Sequence, residues 1–337
     1  MSRVFSGIRP SGRLHLGNYL GAIKNWIALQ DKHDCIFAIV DYHAITTPFN
    51  PEELRENVHE TALDYLAVGL DPKRAALIVQ SHVPEHLELG WIFQSICPVS
   101  WFERVPTYKD KIVQHPEYVN LGLLAYPALM AADILIYKST LVPVGEDQVP
   151  HIEMTNDIGR KFNRNFGKTF PEVKASLTEG ARIMSLQDGT KKMSKTPPVA
   201  TATAGQAGQA GDMGCIFLSD TPEEVRRKIK TAVTDSGKEI LARDDKPALT
   251  NLLTIYSEVS GVPIEKIEKQ YVGKGYGDFK KDLAEAVVIF LEPIQARRKA
   301  LEKKPGYVDE VLASGASSAR PIAQKTLLEV KKKMGLM

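Results

Sequence analysis

Apolar positions over the first hundred residues fall into short unbroken runs, separated by stretches in which they recur at helical spacing. Arg3 to Ile8 reads as a short buried strand that runs into a Pro-Ser-Gly turn. From Asn18 to His33, Leu20, Ile23 and Ile27 share one helix face. Residues 35–40, CIFAIV, are apolar throughout, which predicts a strand in a parallel sheet covered on both faces. Asn50-Pro51-Glu52-Glu53 supplies a cap, a first-turn proline and an acid three residues on, so a helix starts there and runs to about Gly69. AALIV at 75–79 is a third strand, and His86 to Ile96 a further helix. Strands alternating with helices predict an α/β fold, a Rossmann-like doubly wound parallel sheet. Ligands on such sheets sit beyond the carboxyl ends of the strands.

The pattern changes after Lys195. Residues 197–214, PPVATATAGQAGQAGDMG, hold one charge, no aromatic and a near-repeated AGQ unit, so they cannot build a core and read as a flexible loop. Thr221-Pro222-Glu223-Glu224 is a second capping box, and the chain reads as helical from there to its end. The expected organisation is a Rossmann-like domain over 1–196, the loop over 197–214 and a helical domain over 215–337. The last helix is left free to pack back on the first domain.

Composition narrows the class. A chain of 337 residues suggests about two domains. With 43% hydrophobic and 25% charged residues it is not a mostly disordered chain. The net charge of +2 demands no nucleic-acid partner, so any such contact must come from local patches. Cys35, Cys97 and Cys215 are odd in number, far apart and without a CxxC pair. That speaks against a disulfide framework or a cysteine zinc site and for a reducing, cytoplasmic compartment. The start lacks the apolar core of a signal peptide, and no run approaches a membrane span.

Candidate chemistry begins where the first strand ends. In Pro10-Ser11-Gly12-Arg13-Leu14-His15-Leu16-Gly17-Asn18 a glycine-containing turn leads into a helix near Gly17. Helix N-termini offer free backbone N–H groups and partial positive charge, and glycine lets a ligand approach. His15 is placed to contact phosphate oxygens there. The same residues equally suit an ordinary turn with His15 on the surface.

His15-Leu16-Gly17-Asn18 resembles the HIGH signature of class I aminoacyl-tRNA synthetases, and Lys192-Met193-Ser194-Lys195-Thr196 resembles their KMSKS loop. Val144-Gly145-Glu146-Asp147-Gln148, followed by His151, resembles the GEDQ segment of the bacterial tryptophanyl-tRNA synthetase family. Leu124 to Leu135 is similar to that family's amino-acid pocket helix; Ile39 to Thr46, Gly180 to Leu186 and Gly273 to Gly277 fit as well. The resemblance spans nearly the whole chain except 197–214.

That resemblance implies a two-step reaction. Tryptophan carboxylate attacks the α-phosphorus of ATP, giving tryptophanyl-adenylate and pyrophosphate; the adenylate then acylates the 3′ end of tRNA(Trp). It implies His15, Lys192 and Lys195 as catalytic residues, with Mg²⁺ accompanying ATP. Arg9, Pro10, Ser11, Gly17 and Asn18 would line the ATP site. Gly145, Glu146 and Asp147 would hold the ribose and nearby groups, Ile183 would pack near adenine, and Met193, Ser194 and Thr196 would complete the lysine loop. Taken alone, Asp147 also suits the N-cap of a following helix.

Indole carries one N–H donor and no acceptor. Its pocket therefore needs an apolar slot with one buried acceptor, which Asp133 would provide. Taken alone, an acid there equally suits a helix-face salt bridge or a cap. Phe5, Met130 and Val144 would shape the slot, Tyr126 and Gln148 would bind the substrate ammonium, and His43 would lie at the edge. Arg9 stands where many relatives carry glutamine, and Thr196 where the usual loop ends in serine.

For partners, the resemblance implies a homodimer with its interface in the segment about 98–135, where Trp101, Phe102, Tyr108 and Tyr118 are either interface or core. It implies tRNA contact by the helical domain. The basic stretches 297–304 and 320–337 are either solvated faces or phosphate contacts, and Tyr307 and Tyr271 are candidates for anticodon stacking. Membrane and DNA are not expected partners. Only one cysteine follows residue 97, so the four-cysteine iron–sulfur site of some relatives is excluded. Rival readings are another HIGH-containing enzyme, such as a tyrosyl-tRNA synthetase or a cytidylyltransferase, and a non-catalytic or regulatory paralogue binding tRNA or tryptophan.

Overall fold

Five short strands hydrogen-bond into a single parallel sheet in the computed structural model, which describes residues 2–10, 12–177, 182–194 and 213–337. They are β1 (Arg3–Ile8), β2 (Asp34–Ile39), β3 (Ala75–Val79), β4 (Leu141–Val144) and β5 (Lys174–Leu177), in the order β3-β2-β1-β4-β5. Phe5 pairs with Ile36, Ile36 with Ala76, and Val4 with Leu141. The order reverses direction between β1 and β4, and such a switch point opens a crevice beyond the strand ends. Buried Phe5, Ile36, Ala38 and Ile78 face apolar residues of the surrounding helices, as the unbroken apolar runs require.

The first three strands lie where the hydrophobic runs place them, within one residue. Strands β4 and β5 are legible only weakly: β4 is four residues long and contains Pro143. The helix expected over 18–33 is instead α-helical over Leu16–Asn18, a π-turn over Tyr19–Ile23 and α-helical again over Lys24–Leu29. The helix Pro51–Val68 follows its cap closely: Asn50 accepts from the N–H groups of Glu52 and Glu53, and Gly69 ends it at φ 110°.

The chain divides into two compact units: Met1–Gly12 with Asn25–Thr178 and Lys304–Met337, and Arg13–Lys24 with Glu179–Lys303. This differs from boundaries at 196 and 215 in two places. The turn Arg13–Lys24 belongs with the second unit, and so does the chain from Glu179 on, which carries the hairpin around 183–193. The last helix, Tyr307–Met334, belongs with the sheet, the packing that the sequence leaves open to it. That helix lies so close to β3 that a Cβ at Gly315 would collide with the Leu77 carbonyl oxygen. Its Ala319, Ala323, Leu327 and Val330 join the sheet's core.

Several of its bases pair within the unit. Arg320 Nε lies 2.8 Å from Glu85 Oε1, Lys331 pairs with Glu88, and Lys333 Nζ donates to Lys168 O and Thr169 Oγ1 at 2.7 Å each. Those three cations anchor the helix, which accounts for part of the 320–337 basic stretch without invoking a nucleic acid.

The second unit is built from a hairpin around 183–193 and the helices Pro222–Lys230, Pro247–Ser260, Ile264–Gln270 and Tyr276–Glu302. The capping box forms as its sequence dictates: Thr221 accepts from the Glu224 N–H, and Glu224 from the Thr221 N–H. Tyr271 is buried and donates its hydroxyl to Asp282 at 2.7 Å, so it is a core residue rather than an anticodon-stacking one. Among the described residues, no helix is long and apolar enough to cross a membrane.

Candidate active site

In the sheet unit the carboxyl end of β1 delivers Arg9 and Pro10, and that of β4 delivers Gly145 to Gln148. Arg9 is half-buried, and burial lowers its guanidinium pKa against the opposing pull of the Tyr126 phenol. Lys111, which nothing in its local pattern marks, has its ammonium pKa lowered by burial and by the Arg9 charge. Two cations thus share this edge. Gly145, Glu146 and Asp147 are exposed, and Gln148 Nε2 donates to Asp147 Oδ2 at 2.9 Å. A Cβ at Gly145 would come within 2.7 Å of Asp147 Oδ1, so glycine permits that carboxylate to fold over it. Asp147 is not the N-cap of Val149–Phe166; Gln148 holds that position and makes no side-chain capping bond.

Asp133 is 1% exposed on the helix Leu121–Leu135 and forms neither a helix-face salt bridge nor a cap. Its partners converge from three other elements. His43 Nε2 lies 2.8 Å from Oδ2, while Gln80 Nε2 and His86 Nδ1 lie 2.7 and 2.6 Å from Oδ1. Burial would raise this carboxyl's pKa, but the hydrogen bonds from His43 and His86 lead the opposing causes and hold the pKa below its ordinary value. An ionised carboxylate offers about four acceptor positions. Among the described residues Oδ1 has two donors and Oδ2 one, which leaves room on Oδ2 for one more.

The surroundings are apolar and aromatic. Phe5 stacks on Tyr137 with ring centroids 5.7 Å apart, His43 meets Tyr126 edge-on at 6.3 Å, Val144 is buried and Met130 packs against the core. Tyr126 Oη lies 2.7 Å from His151 Nε2. Sequence reading missed Gln80 and His86. Gln80 directly follows β3, where a buried polar residue at a strand's carboxyl end is itself a signal; His86 sits in the first turn of Glu85–Ile96 and gives none.

The second unit brings the two signature segments together. The N–H of Asn18 donates to His15 Nδ1 at 3.2 Å, and the His15 N–H donates to Asn18 Oδ1 at 3.1 Å, a reciprocal cap around Leu16–Asn18. Accepting at Nδ1 places the proton of a neutral His15 ring on Nε2, making that nitrogen a donor. A Cβ at Gly17 would stand 3.1 Å from His15 Nδ1 and 3.3 Å from Met193 Cβ, so the HIGH-like turn packs against the lysine segment.

Residues 215–218 tie the two segments further. Leu16 N–H donates to Ile216 O, Leu218 N–H donates to Leu14 O, and Cys215 Sγ donates to Ser194 O at 3.0 Å. Met193 N–H donates to Ile183 O, and both side chains are buried. Asn251 clamps Met184 through both its backbone groups. Lys192 is exposed. Ser11, Lys195 and Thr196 lie outside the described residues, as does the 197–214 stretch except for its last two residues.

Known proteins resemble this chain over its whole length. The tryptophan–tRNA ligase of Bacillus anthracis is 48% identical over 339 residues, covering 100% of this chain and 98% of the relative. The crystal structure of tryptophanyl-tRNA synthetase from Mycoplasma pneumoniae superposes with a TM-score of 0.87 at 34% identity, covering 100% of this chain and 98% of that one. That of the Campylobacter jejuni synthetase, complexed with ADP and tryptophan, gives 0.82 at 33% identity and covers 99% of each chain. Residues 1–292 match the model of the family described as tRNA synthetases class I (W and Y), and with its parallel sheet and paired signature segments the chain belongs to that family.

Proposed function

We propose that the chain is a tryptophan–tRNA ligase, which activates L-tryptophan with ATP to tryptophanyl-adenylate and pyrophosphate and then charges tRNA(Trp). The observation that carries this reading is Asp133, a buried, ionised acceptor with one position unfilled among apolar and aromatic side chains. It matches an indole, whose edge offers one donor and no acceptor. Phe5, Met130 and Val144 form the slot's apolar wall and His43 its edge. Tyr126 and Gln148 receive the substrate ammonium.

The sheet unit's Arg9 meets the substrate carboxylate or α-phosphate, with Pro10 and Ser11 beside it. Gly145, Glu146 and Asp147 hold the ribose, whose hydroxyls donate to the Asp147 carboxylate. In the second unit His15 Nε2–H donates to phosphate oxygens, with Gly17 and Asn18 beneath it; Ile183 and Met193 pack towards adenine. Lys192 and Lys195, with Ser194 and Thr196, oppose the negative charge that moves onto pyrophosphate. Cations fixed against developing charge lower a barrier most where water is excluded. Mg²⁺ arrives with ATP as part of the substrate. No covalent nucleophile is required, because holding carboxylate and phosphorus in line can itself supply about 7–11 kcal/mol.

The helical second unit is proposed to meet tRNA. The homodimer is proposed to form through the segment about 98–135, where Val99, Val113, Val119 and Leu121 are exposed, with Trp91 exposed on the preceding helix. Phe102 is core and does not contribute to it. We place the protein in the cytoplasm, where its substrates are.

Amino-acid-dependent ATP–pyrophosphate exchange with each of the twenty amino acids tests the proposal. Exchange with tryptophan and little with tyrosine or phenylalanine is expected. Silence with all twenty would favour the non-catalytic paralogue, and exchange with tyrosine the sister specificity. Gly17→Ala gives a second check. Its new methyl crowds His15 and Met193, and adenylate formation should slow by about tenfold to a hundredfold, since small misplacements carry such costs. Tryptophan affinity from equilibrium titration should stay near that of the parent.

A further inference from the structure

We propose that His86 is a positioning residue for amino-acid selection: with Gln80 it fills both acceptor positions of Asp133 Oδ1, so that the carboxylate offers its substrate a single acceptor position, on Oδ2. This rests on the reading of Asp133 as the indole's partner.

A bare carboxylate is a poor selector. It can rotate, and its roughly four acceptor positions suit many donor patterns. Here Oδ1 is closed by Gln80 Nε2 at 2.7 Å and His86 Nδ1 at 2.6 Å, and Oδ2 is half closed by His43. Donors from three separate elements fix the carboxylate plane, so the remaining lone pair points in one direction.

The imidazole of His86 is itself held. It is fully buried, and its Nε2 lies 2.7 Å from the Tyr137 hydroxyl. A carboxylate can only accept, so the Nδ1 atom must carry a proton. In a neutral ring Nε2 then accepts from Tyr137 O–H. Burial and the charges of Asp133 and Glu85 push the Tyr137 hydroxyl well above its ordinary pKa, so it stays protonated and able to donate. Tyr137 thus selects the tautomer that His86 needs, as outer partners commonly do for functional histidines. Phe5, stacked on Tyr137 at 5.7 Å and 6.4 Å from the His86 ring, completes the packing.

The readout is the ratio of kcat/KM for tryptophan to that for its benzothiophene isostere, in which sulfur replaces the indole N–H, measured by pyrophosphate exchange on the full chain. Asp133→Asn tests the underlying reading and should collapse the ratio. His86→Leu should lower the ratio by about tenfold, the worth of a hydrogen bond to a charged group, with KM for ATP unchanged. His86→Asn, whose amide nitrogen can stand in for Nδ1, should restore most of it. Tyr137→Phe, the gentlest change, should lower the ratio by a few-fold.

A collapse in Asp133→Asn with no change in His86→Leu and Tyr137→Phe overturns the positioning role alone. Equal losses for tryptophan and isostere in the His86 variants also overturn it, since they mark a merely structural residue. If Asp133→Asn leaves the ratio intact, the reading of Asp133 itself fails. Should His86→Leu not fold, Tyr137→Phe and His86→Asn decide the matter, with an unchanged ratio in both counting against the proposal.

Discussion

Asp133→Ala is expected to reduce kcat/KM for tryptophan in pyrophosphate exchange by about 10⁴-fold while KM for ATP moves only a few-fold, the scale on which a site rejects a partner that leaves buried polar groups unpaired. The alanine leaves the indole N–H facing an apolar wall. It also strands the donors of Gln80, His43 and His86, which now converge on one carboxylate. Breaking such a buried cluster from one side costs about 3–5 kcal/mol of stability. Thermal melting must therefore accompany the kinetics, and Asp133→Asn, of equal volume, serves as the companion.

The ionisation state sharpens the expectation. Because the folded-state pKa of Asp133 is depressed, its contribution to stability is fully present above the ordinary carboxylate range. That contribution is lost only as pH falls through the depressed value, and in Asp133→Asn this acid-limb loss should be absent. A folded Asp133→Asn protein that keeps its tryptophan KM within about threefold, far less than a lost buried hydrogen bond to a charge should cost, would remove Asp133 as the specificity residue. Equal losses toward tryptophan and ATP would do the same.

What could be read from sequence follows the range of the interactions involved. Continuous apolar runs locate β1, β2 and β3 because a doubly covered strand has no polar face to alternate. Local capping chemistry locates Pro51–Val68 and Pro222–Lys230 because donor and acceptor are three residues apart. The helix after Gly17 departs from its expected form because apolar spacing reports a face and not a hydrogen-bond register; His15 caps three residues earlier than Asn18, and the backbone then passes through a π-turn.

Asp133 was visible as an acid on an apolar helix, but its three partners were not, since they lie 47 to 90 residues away and meet only when the sheet assembles. The last helix shows a similar limit. Its basic residues read as either a solvated face or a surface for phosphates, whereas Arg320 and Lys331 meet Glu85 and Glu88 of another helix. Charge along a sequence does not say what it faces.

Lys192→Ala is expected to slow adenylate formation by about 10²–10³-fold, the usual cost of removing one preorganised group opposite developing charge. The argument is one of timing. Tryptophan and ATP bring their charges to the protein already formed; what is new in the transition state is negative charge moving onto pyrophosphate. Lys192 is exposed on the segment that packs against the His15 turn, and its backbone is pinned by the bridge to Met184. An exposed ammonium on a pinned backbone contributes little to stability and is able to follow a ligand's charge, so its removal should leave the melting temperature unchanged. Lys195→Ala should behave alike. Pre-steady-state measurement of the burst of tryptophanyl-adenylate separates the step: the burst rate should fall while the tryptophan dissociation constant stays near the parent's. A variant that loses tryptophan affinity but keeps its burst rate would place Lys192 in ground-state binding, and the assignment of pyrophosphate charge to this segment would have to be withdrawn.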